Sequence, residues 1–343
     1  MKGQSILVTG GTGYIGSHAV LALLEADYDV ICIDNLSNSS ICVLDRIANI
    51  CGRRPNFVLG DIRDEALLNS IFESENIDAV MHFAGLKAVG ESVEKPLTYY
   101  DNNVGGSISL IKVMDKFDVH KLIFSSSATV YGDNISVPLS EESNLGLVAN
   151  PYGATKLIVE NILRDHCRAN LNWSVGILRY FNPVGAHQSG LIGEDPKGMP
   201  NNLMPIIMRV AMGHESELSI FGDDYDTPDG TGIRDYIHVT DLVNGHIKAL
   251  KALRDTTGAK VWNLGSGVGW SVLQMIKATE KVIGKNLKYS MSGRRSGDVA
   301  ECWADITKAQ RELDWVPLLD IDMMISDSWR WQVKNPNGYG ETL

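Results

Sequence analysis

The sequence predicts an α/β protein: a doubly wound parallel sheet followed by a smaller mixed α/β lobe. Three observations carry this. Over roughly the first 185 residues, short β-branched runs alternate with amphipathic stretches of helical period, as in repeated βαβ units. The strand candidates are nearly continuous in apolar residues, as expected of a parallel sheet covered on both faces. After Phe181 the alternation gives way to a Pro/Gly/Asn-rich stretch, Asn182 to Asn202, then a helix candidate, Leu203 to Met212, the turn-rich Gly222 to Gly232 and short mixed elements. The expected division is therefore 1–181 and 182–343, with some later strands and helices returning to the first part and a cleft between the two.

The first strand candidate, Ser5 to Val8, runs into Thr9-Gly10-Gly11-Thr12-Gly13-Tyr14-Ile15-Gly16, and a helix is expected from about Ser17 to Leu24. Gly11, Gly13 and Gly16 match G-x-G-x-x-G, and Gly10, Gly13 and Gly16 match a wider spacing. Side-chain-free positions let the backbone turn sharply and approach a pyrophosphate, which then meets the amides of the helix N-terminus. The second strand, Val30 to Asp34, ends on a carboxylate 24 positions after Gly10 that can accept hydrogen bonds from a ribose. A 2′-phosphate would be repelled there, which favours NAD over NADP. Strand-turn-helix plus acid is the Rossmann-type fingerprint.

Next come a third strand, Asn56 to Leu59, a helical pattern over Leu67 to Phe72 and a fourth strand, Ala79 to Phe83. Asp61-Ile62 and Phe83-Ala84-Gly85 follow strands three and four, at the carboxyl ends where open α/β sheets bind ligands. A fifth strand, Lys121 to Ser125, leads into Ser125-Ser126-Ser127-Ala128-Thr129-Val130-Tyr131-Gly132, and the sixth is Val175 to Tyr180. Between them Asn150 and Pro151 mark a helix start, as N-cap and first-turn residue, and the helix is expected to reach about Cys167. Its Tyr152 and Lys156 lie four apart, with Cβ atoms about 6 Å from one another on one face. A neighbouring cation favours the phenolate and makes Tyr152 a usable general base. Alone, Y-x-x-x-K is commonly a surface pair; the hydroxyl-rich end of strand five, where Ser127 can hydrogen-bond the oxygen that Tyr152 deprotonates, gives it a chemical context.

Composition limits the alternatives. The chain has 343 residues, 42 Asp+Glu against 31 Lys+Arg and a net charge of −11, which argues against nucleic-acid binding. No apolar tract of membrane-spanning length is present. The opening MKGQSILVTGG carries only a four-residue apolar run, too short for a secretory signal. Cys32, Cys42, Cys51, Cys167 and Cys302 are odd in number and scattered, which fits a reducing, cytoplasmic setting. The eight His residues form no metal-ligand spacing, so no metal is expected.

The chain resembles the extended short-chain dehydrogenase/reductase family, and within it the UDP-galactose 4-epimerases. The resemblance spans nearly the whole length through GGTGYIG, DNLSNS (Asp34 to Ser39), GDIRDEAL (Gly60 to Leu67), HFAGLKAVGESV (His82 to Val93), YYDNN (Tyr99 to Asn103), SSSATVYGD (Ser125 to Asp133), LRYFNPVGAH (Leu178 to His187), PNNLMP (Pro200 to Pro205), DGTGIRDYIHV (Asp229 to Val239) and RRSGD (Arg294 to Asp298). It implies a catalytic set of Ser127, Tyr152 and Lys156. It also implies an NAD site made by Gly10, Gly13, Tyr14, Ile15, Gly16, Asp34, Asn35, Asn38, Ser39, Asp61, Ile62, Phe83, Ala84, Gly85, Lys87, Asn102, Tyr152, Lys156 and Phe181. For the UDP-sugar substrate it implies Ser127, Tyr152, Asn182, Asn202, Leu203, Ser219, Phe221, Arg234, Arg295, Asp298 and Cys302. Arg suits that task because its planar fork pairs phosphate oxygens bidentately.

The implied reaction is reversible oxidation at the sugar C4. Tyr152 takes the hydroxyl proton, Ser127 orients it, and Lys156 stabilises the phenolate and binds the nicotinamide ribose. The 4-keto sugar then turns within the pocket and is reduced on its opposite face, so the protein would be an isomerase without net redox. A 4,6-dehydratase would carry Asp-Glu where this chain has Ala128-Thr129. A uronic-acid epimerase or decarboxylase would need a cation for the sugar carboxylate. A non-catalytic NAD-sensing regulator would not need Ser127, Tyr152 and Lys156 together. Cys302 falls four positions after the Asp of R-x-G-D, where the family places a Tyr for UDP-glucose and UDP-galactose alone, or a small residue for N-acetylated sugars as well. The resemblance further implies a homodimer through helices near Tyr99 to Asp115 and Tyr152 to Cys167.

Overall fold

The computed structural model of the chain describes residues 3–133, 136–198, 200–295 and 298–340; Ser296 and Gly297 of the RRSGD run lie outside them. Six strands and the helices between them fill the first half: β1 Ser5–Thr9, β2 Asp29–Asp34, β3 Asn56–Leu59, β4 Ile77–His82, β5 Lys121–Ser127 and β6 Ser174–Tyr180. Their helices are α1 Tyr14–Glu25, α2 Cys42–Cys51, α3 Glu65–Ser74, α4 Val89–Glu94, α5 Pro96–Tyr99, α6 Gly106–Lys116 and α7 Pro151–Ala169. The second half holds β7 Asn182–Val184, α8 Leu203–Met212, β8 Leu218–Phe221, β9 Ile233–His238, α9 Val239–Ala252 and β10 Gly258–Leu264. It ends with β11 Gly269–Ser271, α10 Val272–Ile283, β12 Tyr289–Ser292, β13 Glu301–Cys302, α11 Thr307–Leu313 and α12 Ile321–Lys334.

Seven parallel strands form the main sheet in the order β10-β6-β5-β4-β1-β2-β3, so the order reverses between β1 and β4. That reversal opens a crevice at the carboxyl ends, where such sheets take ligands. Buried side chains of α1, α2 and α9 cover one face, and those of α3, α6 and α7 the other. β10 comes from the second half of the chain and pairs with β6 along its whole length. A smaller mixed sheet joins β9 to β7, β11 and β13, and β8 pairs with β12. Helices α8, α10 and α12 pack over these strands around Met204, Ile207, Met275 and Ile325.

Local chemistry sets the helix ends near the crevice. Asn150 caps α7 by accepting from the Gly153 amide at 2.9 Å, and Pro151 occupies the first turn, as the sequence predicts. Helix α1 begins at Tyr14, three residues before the expected start, because Gly13 already adopts an N-cap conformation. Strand β5 continues to Ser127, two residues beyond expectation, and so carries that hydroxyl at its end.

Candidate active site

The glycine run turns the chain from β1 into α1 under steric constraints that only hydrogen side chains meet. Gly10 has φ +68°, and a Cβ there would lie 2.7 Å from the Ala84 amide nitrogen. A Cβ on Gly16 would lie 2.1 Å from the Gly10 carbonyl oxygen. Gly11, by contrast, makes room for the buried Cys32, whose Sγ would be 2.2 Å from its Cβ. The turn closes through Gly13 N–H to Gly10 O (3.1 Å) and Gly10 N–H to Ile33 O (2.8 Å). Helix α1 has no side-chain cap and no acidic residue in its first turn, so its leading amides remain available to an anion.

Beside the turn, Asp34 accepts from Thr12 N–H (3.1 Å), Leu36 N–H (2.8 Å) and the Ser39 hydroxyl (3.0 Å). Two carboxylate oxygens offer about four lone-pair positions, which leaves capacity for a ribose hydroxyl. Asn35 donates to Asp61 (3.0 Å), whose carboxylate also takes a two-pronged contact from Arg63 at 2.9 Å on each oxygen. The Arg63 hydrogen bonds hold the Asp61 carboxyl well below the usual range. Ile62 is buried and packs where Gly106 has no side chain. Asn38 accepts from Lys197 N–H at 2.9 Å, and the Tyr14 hydroxyl donates to Gly185 O at 2.7 Å.

Across the crevice, a buried hydrogen-bond chain fixes the end of β4. Ala84 N–H donates to Thr9 Oγ1 (3.2 Å), which contacts His82 Nδ1 (2.7 Å); His82 Nε2 contacts Ser107 Oγ (2.9 Å), which donates to Asn103 O (2.6 Å). Since Ser107 gives its proton to Asn103, His82 donates from Nε2 and accepts at Nδ1. Burial, and then the nearby Lys156, push His82 down to about 3, so the ring is neutral. The Asn103 side chain bonds both Leu86 N–H (2.8 Å) and Leu86 O (3.0 Å), and donates to Thr155 Oγ1 (3.0 Å), which donates to Tyr152 O (2.7 Å). It sits in a π-helical turn, Tyr100–Gly105, an irregularity typical of functional sites. Asn102, one of the residues that the family resemblance implies for NAD, donates to Asn103 Oδ1 at 2.9 Å. Asn103 is not among the residues implied by the resemblance, and its place in YYDNN is its only sequence signal.

Ser127, Tyr152 and Lys156 converge here from β5 and α7. Ser127 Oγ accepts from Thr129 N–H (3.2 Å) and from the Thr129 hydroxyl (3.0 Å), which leaves its own proton to be donated toward the Tyr152 phenol. Lys156 is buried; its Nζ donates to Ser125 O at 2.6 Å and lies 5.0 Å from the Phe124 ring centroid. A Cβ on Gly85 would be 3.7 Å from that Nζ, so the end of β4 abuts the lysine. Burial raises the Tyr152 phenol above its ordinary value, opposed by the Ser127 hydrogen bond and the Lys87 charge. The structure turns the Lys156 ammonium toward the Ser125 carbonyl, and the cationic charge acting on the Tyr152 phenol is that of Lys87, itself paired with Glu194. Burial lowers Lys156 to about 8, with Glu160 opposing.

Other expected residues form a second group. Lys87 and Asn202 both donate to Glu194 at 3.0 Å, a carboxylate that the irregular 182–202 stretch concealed in the sequence. Arg234 donates to Ile233 O at 2.8 Å and lies close against Gly232. The Arg295 guanidinium stacks 3.9 Å from the centroid of Phe221, with Ser219 on the same strand β8. Asp298 N–H donates to Arg295 O at 3.3 Å. Exposed Asn182 begins β7, directly after buried Phe181, and Leu203 opens α8. Cys302 pairs in register with Arg234 and packs with Val130, Tyr131 and Phe181, which lie close in sequence to Ser127 and Asn182.

The cradle fits a dinucleotide: an uncapped helix N-terminus, glycines whose Cβ atoms would fill it, and an acid with spare acceptors. A family model, the NAD dependent epimerase/dehydratase family, matches residues 6–265. The chain belongs to this family. Among similar family members is the UDP-glucose 4-epimerase of Yersinia enterocolitica, 57% identical over 98% of this chain and 99% of that protein. The enzyme of the same name from Bacillus subtilis is 54% identical, with the same coverage. A solved epimerase/dehydratase-family structure, UDP-glucose 4-epimerase from Bifidobacterium longum in complex with NAD+ and UDP, superposes with TM-score 0.95 at 53% identity, covering 98% of this chain and all of that one. Among the described residues, no helix is long and apolar enough to cross a membrane and no cluster suits a metal ion.

Proposed function

We propose that the protein interconverts UDP-hexoses at C4 using NAD. The observation that carries this is the meeting of Ser127, Tyr152 and Lys156 at the mouth of the glycine cradle, in a chain similar along nearly its whole length to UDP-glucose 4-epimerases. Residues 1–181 would hold the dinucleotide, chiefly through the Gly10–Gly16 turn, Asp34, Asp61 and the Phe83–Gly85 strand end. Residues 182–343 would hold the UDP-sugar, with Arg234 and Arg295 at the diphosphate. When bound, NAD supplies a hydride acceptor and a cationic ring.

The residues of this chain then manage one proton. Ser127 donates toward the phenol and favours its ionised form; Lys87 adds a positive charge, and burial opposes both. Tyr152 takes the proton of the sugar 4-hydroxyl and returns it after the 4-keto sugar has turned over. Lys156, fixed by Ser125 O, keeps an ammonium beside the cradle and supports the phenolate only while protonated.

Substrate range is proposed to include UDP-N-acetylglucosamine and UDP-N-acetylgalactosamine. Cys302 pairs in register with Arg234 and packs against the cluster of Val130, Tyr131 and Phe181, and its thiol takes up less room than the phenol ring of a Tyr would. Two copies are proposed to pair through the helices near Tyr99 to Asp115 and Tyr152 to Cys167, next to which Val89, Val93 and Leu97 are exposed. The five cysteines are all unpaired, in keeping with a cytoplasmic location.

The test is incubation with UDP-galactose and, separately, UDP-N-acetylglucosamine without added NAD, followed by NMR detection of the C4 epimers. Turnover of neither substrate defeats the epimerase reading. Turnover of UDP-galactose alone defeats the argument from Cys302. Cys302→Tyr is expected to suppress turnover of the acetamido sugar and spare UDP-galactose; equal loss on both would mean general damage to the pocket.

A further inference from the structure

Beneath the three proposed catalytic side chains lies a charge cluster, buried at Glu160 and Arg179, that proton transfer does not use. Glu160 is one helical turn beyond Lys156 on α7, and its side chain has no exposed surface; that of Arg179 on β6 is 2% exposed. Glu160 Oε1 accepts from the Ser126 hydroxyl (2.6 Å) and Arg179 Nε (3.0 Å), while Oε2 accepts from Arg179 Nη2 (2.8 Å) and Arg164 Nη2 (2.7 Å). Arg179 Nη1 is buried without an acceptor among the described residues, and the Tyr131 ring lies 4.8 Å from the guanidinium carbon as a π surface.

Such a cluster is costly to desolvate and is a poor source of stability compared with apolar packing. Its placement gives it another use. Ser126 stands between Ser125, whose carbonyl anchors Lys156, and Ser127; Arg179 belongs to the neighbouring strand; Glu160 shares its helix with Tyr152 and Lys156. One carboxylate therefore ties together the elements that present all three groups.

We propose that Glu160 is a positioning residue for the C4 epimerisation, locking β5 and β6 to α7 and setting a fixed negative charge one turn from Lys156. The inference rests on the epimerase reading. The groups facing Lys156 are Glu160 on its own helix, His82 on β4, and the Ser125 carbonyl and Phe124 ring on β5, with Arg179 on β6 and Arg164 on α7 behind Glu160. His82 is neutral, and of these groups only Glu160 is a carboxylate. Its loss makes Lys156 shed its proton at lower pH.

The test compares kcat and KM for UDP-galactose across pH for the wild type, Glu160→Gln, Glu160→Asp and the apolar pair Glu160→Leu with Arg179→Met. In Glu160→Gln, kcat is expected to fall at least tenfold with KM within about threefold, and the alkaline limb of the kcat profile moves down by about one pH unit. Glu160→Asp keeps the charge and the position of that limb, though kcat is lower. The apolar pair removes both buried charges together and leaves only the part-exposed Arg164 to solvent, so it avoids the unpaired buried Arg179 of the single variant, and its kcat is also at least tenfold down. The proposal is overturned if a folded Glu160→Gln keeps the wild-type alkaline limb, or if the apolar pair retains kcat within twofold. A wild type that does not epimerise would defeat the epimerase reading itself, a separate outcome.

Discussion

Replacing Gly16 by Ala sets two effects of opposite sign against each other. In a helix, Ala is favoured over Gly by up to about 1 kcal/mol, and Gly16 lies in the first turn of α1 without a left-handed φ. Against this, the new methyl would stand 2.1 Å from Gly10 O and 3.0 Å from Gly11 Cα, both main-chain atoms. Relief needs about 1 Å of movement in the turn, an overpacking cost of roughly 1–3 kcal/mol. The same movement stretches the Gly13 N–H to Gly10 O hydrogen bond, worth about 1 kcal/mol. The clash wins, and a net loss of roughly 1–3 kcal/mol is expected, together with at least a tenfold weaker hold on NAD. Gly213→Ala is the matched control. Its φ of +81° costs about 1–2 kcal/mol of strain with nothing within 4 Å to displace, at a site far from the cradle in sequence. Melting temperatures with and without NAD, and NAD content after gel filtration, separate the two. The reasoning is refuted if Gly16→Ala holds NAD within twofold of the wild type, or if both variants lose it equally.

Tyr152→Phe removes the proposed base and should lower kcat about 10²- to 10⁴-fold, while UDP inhibits as before; isothermal titration with UDP alongside the kinetics checks the split. Arg295→Ala removes a cation stacked on Phe221 and should weaken UDP binding about tenfold, roughly 1.4 kcal/mol, read as a competitive inhibition constant. Acid should destabilise the fold early. Burial lowers His18 and His82 to about 3 and His246 to about 4, against an ordinary histidine value of 6.5. The unfolded chain thus binds up to three more protons, and stability falls as pH drops from about 6.5 toward 4, by about 1.4 kcal/mol per proton per pH unit. A melting temperature that stays flat between pH 7 and 5 would contradict this.

The features legible in the sequence are those with a local period or a fixed local geometry. The strand before Gly10, the Asp34 strand end, the Asn150-Pro151 helix start and the Tyr152-Lys156 spacing all depend on neighbours within a few positions. Side-chain destinations were less legible. Lys156 and Tyr152 share a helical face, yet the long lysine stem carries its ammonium across to Ser125 O, while Lys87, 65 positions before Tyr152, brings its charge to bear on the phenol. Asn103 acts through a π-helical turn that no hydrophobic period announces. Glu194 and the Glu160–Arg179 pair depend on contacts between elements, which a single sequence does not encode locally.

The net charge of −11 opposes both anionic ligands, and the structure indicates how the opposition is met. Charges beyond about 8–10 Å are largely screened at physiological salt, so what a phosphate meets is the nearest helix end and side chain. Acidic residues occupy the first turn of α2, α3, α9 and α12, and α7 and α10 are closed by the side chains of Asn150 and Ser271. Helix α6 continues directly from the π-helical turn. Among the described helices of ten or more residues, only α1 and α8 start freely with neither a side-chain cap nor an acid. These two bear Gly13 at one N-terminus and Asn202 with Leu203 at the other, the proposed places of the dinucleotide and of the UDP-sugar. A cap is worth roughly 1 kcal/mol to a helix. Its absence at these two ends, and at no other long free helix start, leaves open amides where two diphosphates are proposed to sit, so the surplus of acid elsewhere need not weaken either site.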